Sequence, residues 1–449
     1  MKRKTFIQNS SLLVASGLLA PYVSCMSEQK PNTNTLKNWA GNYSYKAPSL
    51  HQPGTPEEVQ QLVKQLDKQK ALGSRHCFNN IADSPQNQIS TVRLNKIVSL
   101  DTENKTLTVE SGARYGDFAT ELDTQRYALH NLASLPHITV AGACTTATHG
   151  SGMTLGNLAS AVVAMEIVTP QGELITVNRE HPDFYGLVVG LGAIGIITKV
   201  TLQIEDTYQV RQDIFQELPL ASLESHFEEI MSAGYSVSLF TNWLDQKVSQ
   251  VWIKRRTDQP MTDHGNDFFG ATAAGRNLHP IVEISPENCT EQMGIAGPWY
   301  NRLPHFKMGF MPSGGEELQS EYFIPRENAV DAILALEKKK DLINPQLMIT
   351  EVRTIAADEL WMSPCYHQDS VAIHFTWKQN WEEVRKLLPM IEAELSPYNV
   401  KPHWGKLFTI DPAILRSRYE KYPDFLALAK KYDPEGKFRN DYLNLNIYG

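Results

Sequence analysis

Leu72-Gly73-Ser74-Arg75-His76-Cys77-Phe78-Asn79 is a glycine turn that closes on an imidazole and then an aromatic ring. About sixty residues further on, Ala133-Ser134-Leu135-Pro136-His137-Ile138-Thr139-Val140-Ala141-Gly142 runs into Thr148-His149-Gly150-Ser151-Gly152. The stretch from Gly142 to Gly152 is dense in Gly, Ala, Ser and Thr, so the backbone there can approach a ligand closely. Backbone N–H groups in such turns can hold phosphates without a charged side chain. Each run alone is a weak signal, because most glycine turns only turn. Together they supply two such turns, the number that a ligand with two phosphates could use.

Elsewhere the chain reads as a soluble protein of more than one core. Its 449 residues exceed one ordinary hydrophobic core, so two or three domains are expected. A formal charge of −8 argues against a nucleic-acid partner. The first twenty-five residues look like an export signal. Lys2, Arg3 and Lys4 precede an apolar stretch from Leu12 to Val23, with Cys25 after Ser24. Arg3-Lys4-Thr5-Phe6-Ile7 is similar to a twin-arginine signal, and Val23-Ser24-Cys25 to a lipoprotein cleavage site; simple Sec export is the alternative. A periplasmic protein is expected, touching a membrane only through a lipid on Cys25. Cys77, Cys144, Cys289 and Cys365 have no Cys-x-x-Cys spacing, so no metal site is expected and free thiols are favoured.

Residues 26–37 read as a linker, and 38–206 as a first domain. Its predicted elements are a helix over Glu57–Lys70, β-type runs at Val92–Leu94, Ile97–Leu100 and Thr106–Val109, and a helix over Tyr115–Leu122. A hairpin around Gln171-Gly172 and a last strand at Ile196–Ile204 complete this domain. Residues 207–402 change texture. Strands are predicted at Ser236–Asn242, Gln250–Arg255, Met348–Ile355 and Val371–Trp377, and helices near Leu223–Met231, Asn328–Lys338 and Trp381–Leu395. The fold class is α+β with a central antiparallel sheet in the second domain. Gly190-Leu191-Gly192-Ala193-Ile194-Gly195 matches the Gly-x-Gly-x-x-Gly fingerprint of nicotinamide-binding domains. Its successor, Ile196-Ile197-Thr198-Lys199-Val200-Thr201-Leu202, alternates like a strand where that fingerprint needs a helix. The glycine run is read as a turn closing against the cofactor.

Period two places Glu351 and Arg353 on one face of a strand, and His374 and Thr376 on one face of another. If those faces meet, an acceptor, a donor and two groups able to do either converge, a set suited to several substrate hydroxyls. A structural ion pair beside a core histidine is the other reading of the same residues.

The two glycine-rich runs resemble the FAD-binding domain of the vanillyl-alcohol-oxidase-type flavoproteins. The wider chain, from about Asn38 to Asn440, resembles their aldonolactone oxidoreductase branch, and within it the alditol oxidases. Tyr235-Ser236-Val237-Ser238-Leu239-Phe240-Thr241, Asn288-Cys289-Thr290-Glu291-Gln292, Leu318-Gln319-Ser320-Glu321-Tyr322, His374-Phe375-Thr376-Trp377 and Pro402-His403-Trp404-Gly405-Lys406 carry that likeness. The resemblance implies a two-subdomain FAD domain, a substrate domain, and a tail over 403–449 that returns to the flavin. It implies a single covalent bond from His76 to FAD, although Arg75 and Cys77 stand where glycine and serine are frequent. Around the cofactor it implies Gly73, Ser74, Arg75, Cys77, Ser134, Thr139, Gly142, Thr145, Thr146, His149, Gly150, His403 and the backbone of Ile196. A polyol such as xylitol or sorbitol is implied at Ser134, Glu351, Arg353, His374, Thr376 and Lys406. The implied chemistry is hydride transfer from the terminal carbinol carbon to flavin N5, with His374 as base and Arg353 and Lys406 stabilising negative charge. Oxygen or another acceptor then removes the electrons. An aldonolactone oxidase or dehydrogenase is the alternative enzyme, and a non-catalytic carbohydrate-binding lipoprotein the alternative of another kind. A monomer is favoured.

Overall fold

The computed structural model describes residues 36–260, 262, 264–309 and 316–449, and residues 36–449 form one compact unit. The proposed export segment, Cys25 and most of the 26–37 linker lie outside the described residues. The sheets change hands close to residue 206. Before it stand a three-stranded parallel sheet (Ser49–His51, Gln69–Leu72, Asn87–Ser90) and a five-stranded antiparallel sheet built from Ile97–Asp101, Thr106–Glu110, Val162–Val168, Leu174–Asn178 and Ile196–Gln203. After it comes a ten-stranded antiparallel sheet whose central strands are Ser236–Thr241, Leu347–Ile355, Ser370–Lys378 and Glu317–Pro325. A mixed α+β architecture results, with a large antiparallel sheet in the second half.

The first helix spans Pro56–Gln65. Thr55 caps it by accepting from the Glu58 amide, Pro56 sits where no N–H is needed, and Val59 and Val63 face the core. It stops well short of the expected Lys70. Residues 69–72 instead pair in parallel with Asn87–Ser90, because a strand there satisfies the backbone and delivers the chain into the Gly73 turn. The β-type run expected at Val92–Leu94 is a turn; the strand lies just upstream. The hairpin around Gly172 forms with Val168 opposite Leu174, and Gly172 supplies the positive φ of 76°.

In the large sheet, period two separates two environments. Val371, Ile373, Phe375 and Trp377 belong to the main hydrophobic core. Full burial of each such side chain is worth about 1.5–3 kcal/mol. His374 and Thr376 alternate with them on the opposite face, and Val352 alternates in the same way with Glu351 and Arg353. The apolar face anchors the strands and the polar face lines a cavity. Two long strands, Gln209–Pro219 and Glu317–Pro325, were not expected, and the second one matters for the site.

Candidate active site

One large cavity runs between the two halves of this unit. It is a long cleft, open at its mouth and lined by residues from both halves. One end is walled by Gly73, Ser74, Arg75, His76 and Cys77, by Thr139, Gly142, Thr145 and Thr146, and by Leu191, Gly192, Gly195 and Ile197. Ser134, His149, Glu351, Arg353, His374, Thr376, His403 and Lys406 line the other part. Two expected residues are absent from these walls. Ile196 turns its side chain into a small core with Val59, Val63 and Phe438, and its neighbours Gly195 and Ile197 form the wall. Gly150 packs behind the wall, where an added Cβ would lie 2.3 Å from the Asn131 side chain.

Tight turns shape the cofactor end. A Cβ on Gly73 would meet the Thr139 hydroxyl at 2.3 Å, so the two glycine-rich runs interlock there. Ser74 Oγ joins them, accepting from the Thr139 amide at 3.1 Å and lying 3.0 Å from His76 Nδ1. The His76 ring stacks on Trp39 with centroids 5.2 Å apart, and its Nε2 is buried without a hydrogen-bond partner. Burial, aided by His137, pushes the imidazole down to about 4, so it is neutral and nucleophilic at physiological pH. Arg75 has φ of 65°, the left-handed region that favours glycine. The Trp39 amide donating to its carbonyl at 2.8 Å helps hold the strained turn. Cys77 is a free thiol that burial pushes up to about 12, far from a reactive thiolate. The Gly190–Gly195 run is a turn followed by the strand Ile196–Gln203, and Lys70 Nζ ties it down by donating to the Gly192 carbonyl at 2.7 Å. A dinucleotide fits this end: a long cleft, glycine cradles and an unpartnered buried imidazole.

At the polar end, register brings the charges together. Glu351 and Glu321 both lie opposite His374, from the strands on either side. Glu321 is the hub. It accepts from Arg353 at 2.8 Å and from Lys406 at 2.7 Å, and His149 Nε2 lies 3.2 Å away. Burial opposes its ionisation, but Lys406, His149 and Arg353 outweigh that and hold its carboxyl well below the usual range. Arg353 also reaches Ser134 Oγ at 3.3 Å and lies 3.5 Å from Glu351. Glu351 accepts from His305 at 2.7 Å. Both ring nitrogens of His374 are buried without hydrogen-bond partners, and Glu351 Oε2 is 4.0 Å from its Nδ1. Burial first, then Lys406, pushes His374 down to about 3. Its ring is therefore neutral throughout the working range.

Sequence reading missed Glu321 and His305 as site residues. Glu317, Gln319 and Glu321 do alternate at period two, a signal that marks one polar strand face. His305 sits in an irregular stretch with no periodicity to mark it. Among the described residues no cluster of His, Cys, Asp and Glu is arranged to hold a metal ion, Cys77, Cys144, Cys289 and Cys365 are free, and no helix is long and apolar enough to cross a membrane.

Comparison with known proteins agrees with this geometry. Residues 48–178 match the FAD binding domain family, and residues 315–446 match the D-arabinono-1,4-lactone oxidase family. Alditol oxidase from a Streptomyces species is 44% identical over 415 residues, covering 92% of this chain and 98% of that protein. L-gulono-1,4-lactone dehydrogenase from Mycobacterium tuberculosis is 27% identical, covering 90% of this chain and 97% of that protein. Cholesterol oxidase from B. sterolicum shares the fold, with a TM-score of 0.74 at 15% identity, over 92% of this chain and 96% of that one. Identity and coverage at this level, over a cavity with the expected walls, make the chain a member of the alditol oxidase family, FAD-linked oxidoreductases of the vanillyl-alcohol-oxidase type.

Proposed function

We propose that the protein oxidises the terminal primary alcohol of an alditol such as xylitol or sorbitol to the aldose, using FAD bonded once to His76 and oxygen as acceptor. The observation that carries this reading is the single cavity that joins the His76 cradle to the unpartnered His374 and its ring of charges. Bound FAD supplies the two-electron acceptor for hydride leaving the carbinol carbon. Gly73 to Cys77, Thr139 to Thr146 and the Gly195 turn would hold it. The residues of the chain bind, orient and deprotonate the polyol. His374 accepts the hydroxyl proton, because its ring is neutral and uncommitted. Arg353 and Lys406, kept cationic and in place by Glu321, stabilise negative charge on the reacting oxygen. Glu351, Ser134 and Thr376 accept or donate to the remaining hydroxyls and fix which carbon is presented.

This arrangement predicts that the limiting rate at saturating polyol shows no inflection in the ordinary histidine range, about pH 6 to 7. The sign follows from the depressed His374: only protonation far below that range removes the acceptor. An inflection near about pH 6.5 that vanishes in His374→Ala would contradict it. For the cofactor link, His76→Ala is expected to release its FAD on acid precipitation, whereas the parent pellet stays yellow. Release of all FAD from the parent protein would remove the covalent bond.

The match to the D-arabinono-1,4-lactone oxidase family over 315–446 favours a second reading, a cyclic lactone substrate. Side-by-side turnover of xylitol and gulono-1,4-lactone separates the two, with xylitol expected to be faster. We further infer that the protein is exported to the periplasm, with a lipid on Cys25 or plain cleavage nearby as the two ways its leader is processed. The charged start and apolar run of its first residues support export, and metabolic labelling with palmitate of the parent and Cys25→Ala proteins separates the two.

A further inference from the structure

Behind Glu351 lies a buried chain of groups that the proposed reaction does not use. Lys254, on the Lys247–Arg256 strand, is fully buried, and its Nζ meets three acceptors: the carbonyls of Leu303 and Pro304 and, at 3.1 Å, His305 Nδ1. An ammonium has three protons and no lone pair, so all three go to these partners. His305 Nδ1 must then be the acceptor, and the ring's one proton sits on Nε2. That Nε2 lies 2.7 Å from Glu351 Oε1. Among the described residues this is the one side-chain hydrogen bond to the Glu351 carboxylate. The ring is held edge-on against Phe240 and Trp252, with centroids 5.5 and 5.2 Å away, so it has little freedom to turn.

We propose that Lys254 and His305 are positioning residues for substrate binding: Lys254 locks His305 in the Nε2–H tautomer, which fixes the Glu351 carboxylate by a hydrogen bond to Oε1 and leaves Oε2 free to accept a polyol hydroxyl. The proposal rests on the polyol reading of the cavity. The charged groups facing His305 are Lys254, Glu351 and Arg353, and Lys254 is faced in addition by Arg302 and the Cys289 thiol. Burial first, then Lys254, pushes His305 down to about 4, consistent with a neutral ring. Burial pushes Lys254 down to about 7.

The lock is therefore pH-dependent. Once Lys254 loses a proton, two N–H groups remain for the two carbonyls, and its lone pair faces Nδ1. The imidazole then carries its proton on Nδ1 and turns a bare Nε2 toward the Glu351 carboxylate, which loses its donor.

Two measurements test this. In protein labelled with ¹⁵N-histidine, with His305 assigned from a His305→Asn sample, the signals at about pH 6 should show Nε2 protonated and Nδ1 bare. Nδ1-protonated His305 at that pH overturns the proposal whatever the enzyme's substrate. In steady-state kinetics with xylitol, KM of the parent enzyme should rise as pH passes through the Lys254 titration, with kcat changing less. Lys254→Met should raise KM about 10–100-fold, the worth of one charge-assisted hydrogen bond, and abolish that alkaline rise. Lys254→Gln, which keeps an N–H toward Nδ1, should recover part of the loss. A variant that is uniformly slower but keeps the parent's pH profile assigns Lys254 to stability alone and overturns the proposal. If no alditol reduces the parent flavin, the functional reading fails, and the tautomer measurement still decides the lock.

Discussion

His374→Ala is expected to lower the rate of flavin reduction by an alditol about 10²–10⁴-fold, the usual worth of a positioned base, while polyol affinity changes far less. The difference arises because the ring makes no hydrogen bond in the substrate-free site, whereas Arg353, Lys406 and Glu351 already form a network that the substitution leaves intact. Stopped-flow reduction across a range of alditol concentrations separates the limiting rate from the half-saturation value. Equal limiting rates in parent and variant would remove His374 from the base role. The free ring is weakly basic because burial and its cationic neighbours act together. Lys406 and Arg353 disfavour the imidazolium, while Glu351 and Glu321 favour it. Negative charge developing on the substrate oxygen offsets the two cations and so weakens their opposition as the proton moves.

Glu321→Ala is expected to cost about 3–5 kcal/mol of stability and to abolish turnover, since it strands Arg353 and Lys406 as buried charges without their shared carboxylate. Thermal unfolding measures the first effect and flavin reduction the second. Glu321→Gln provides the contrast. The amide keeps the shape and one acceptor, so it should fold better than the alanine variant yet still bind polyol poorly. An alanine variant as stable and as active as the parent would show that the hub holds nothing in place.

Much of the fold is legible in the sequence because local chemistry and global packing agree. The alternation through Glu351-Val352-Arg353 and His374-Phe375-Thr376 marks strands with one buried apolar face, and the sheet pairs Glu351 with His374 directly. The helix Trp381–Leu395 has the bounds its periodicity predicts. Legibility fails where tertiary pairing decides. Helical spacing continues past Gln65, yet parallel pairing with Asn87–Ser90 takes residues 69–72 into a strand. Glu317, Gln319 and Glu321 share one period-two face, but Ser320 between them blurs the pattern, so Glu321 is hidden. His305 reaches the site from a stretch without regular structure, which no local pattern marks. The Gly190–Gly195 run parts from its motif visibly, because a strand succeeds it where a nicotinamide-binding fold needs a helix. At Ile196 the expectation names the backbone, and the side chain turns away from the wall. In a strand the side chain of each residue faces away from its neighbours', so the wall belongs to Gly195 and Ile197.

Anaerobic mixing of the purified, FAD-loaded protein with a panel of alditols, monitored at the visible flavin band, tests most directly whether the cradle around position 76 and the charged ring around position 374 serve one reaction. Bleaching by xylitol or sorbitol, with colour and hydrogen peroxide returning on exposure to air, is the predicted result. A band that stays oxidised with every alditol, while a lactone or no compound at all reduces it, would contradict the account.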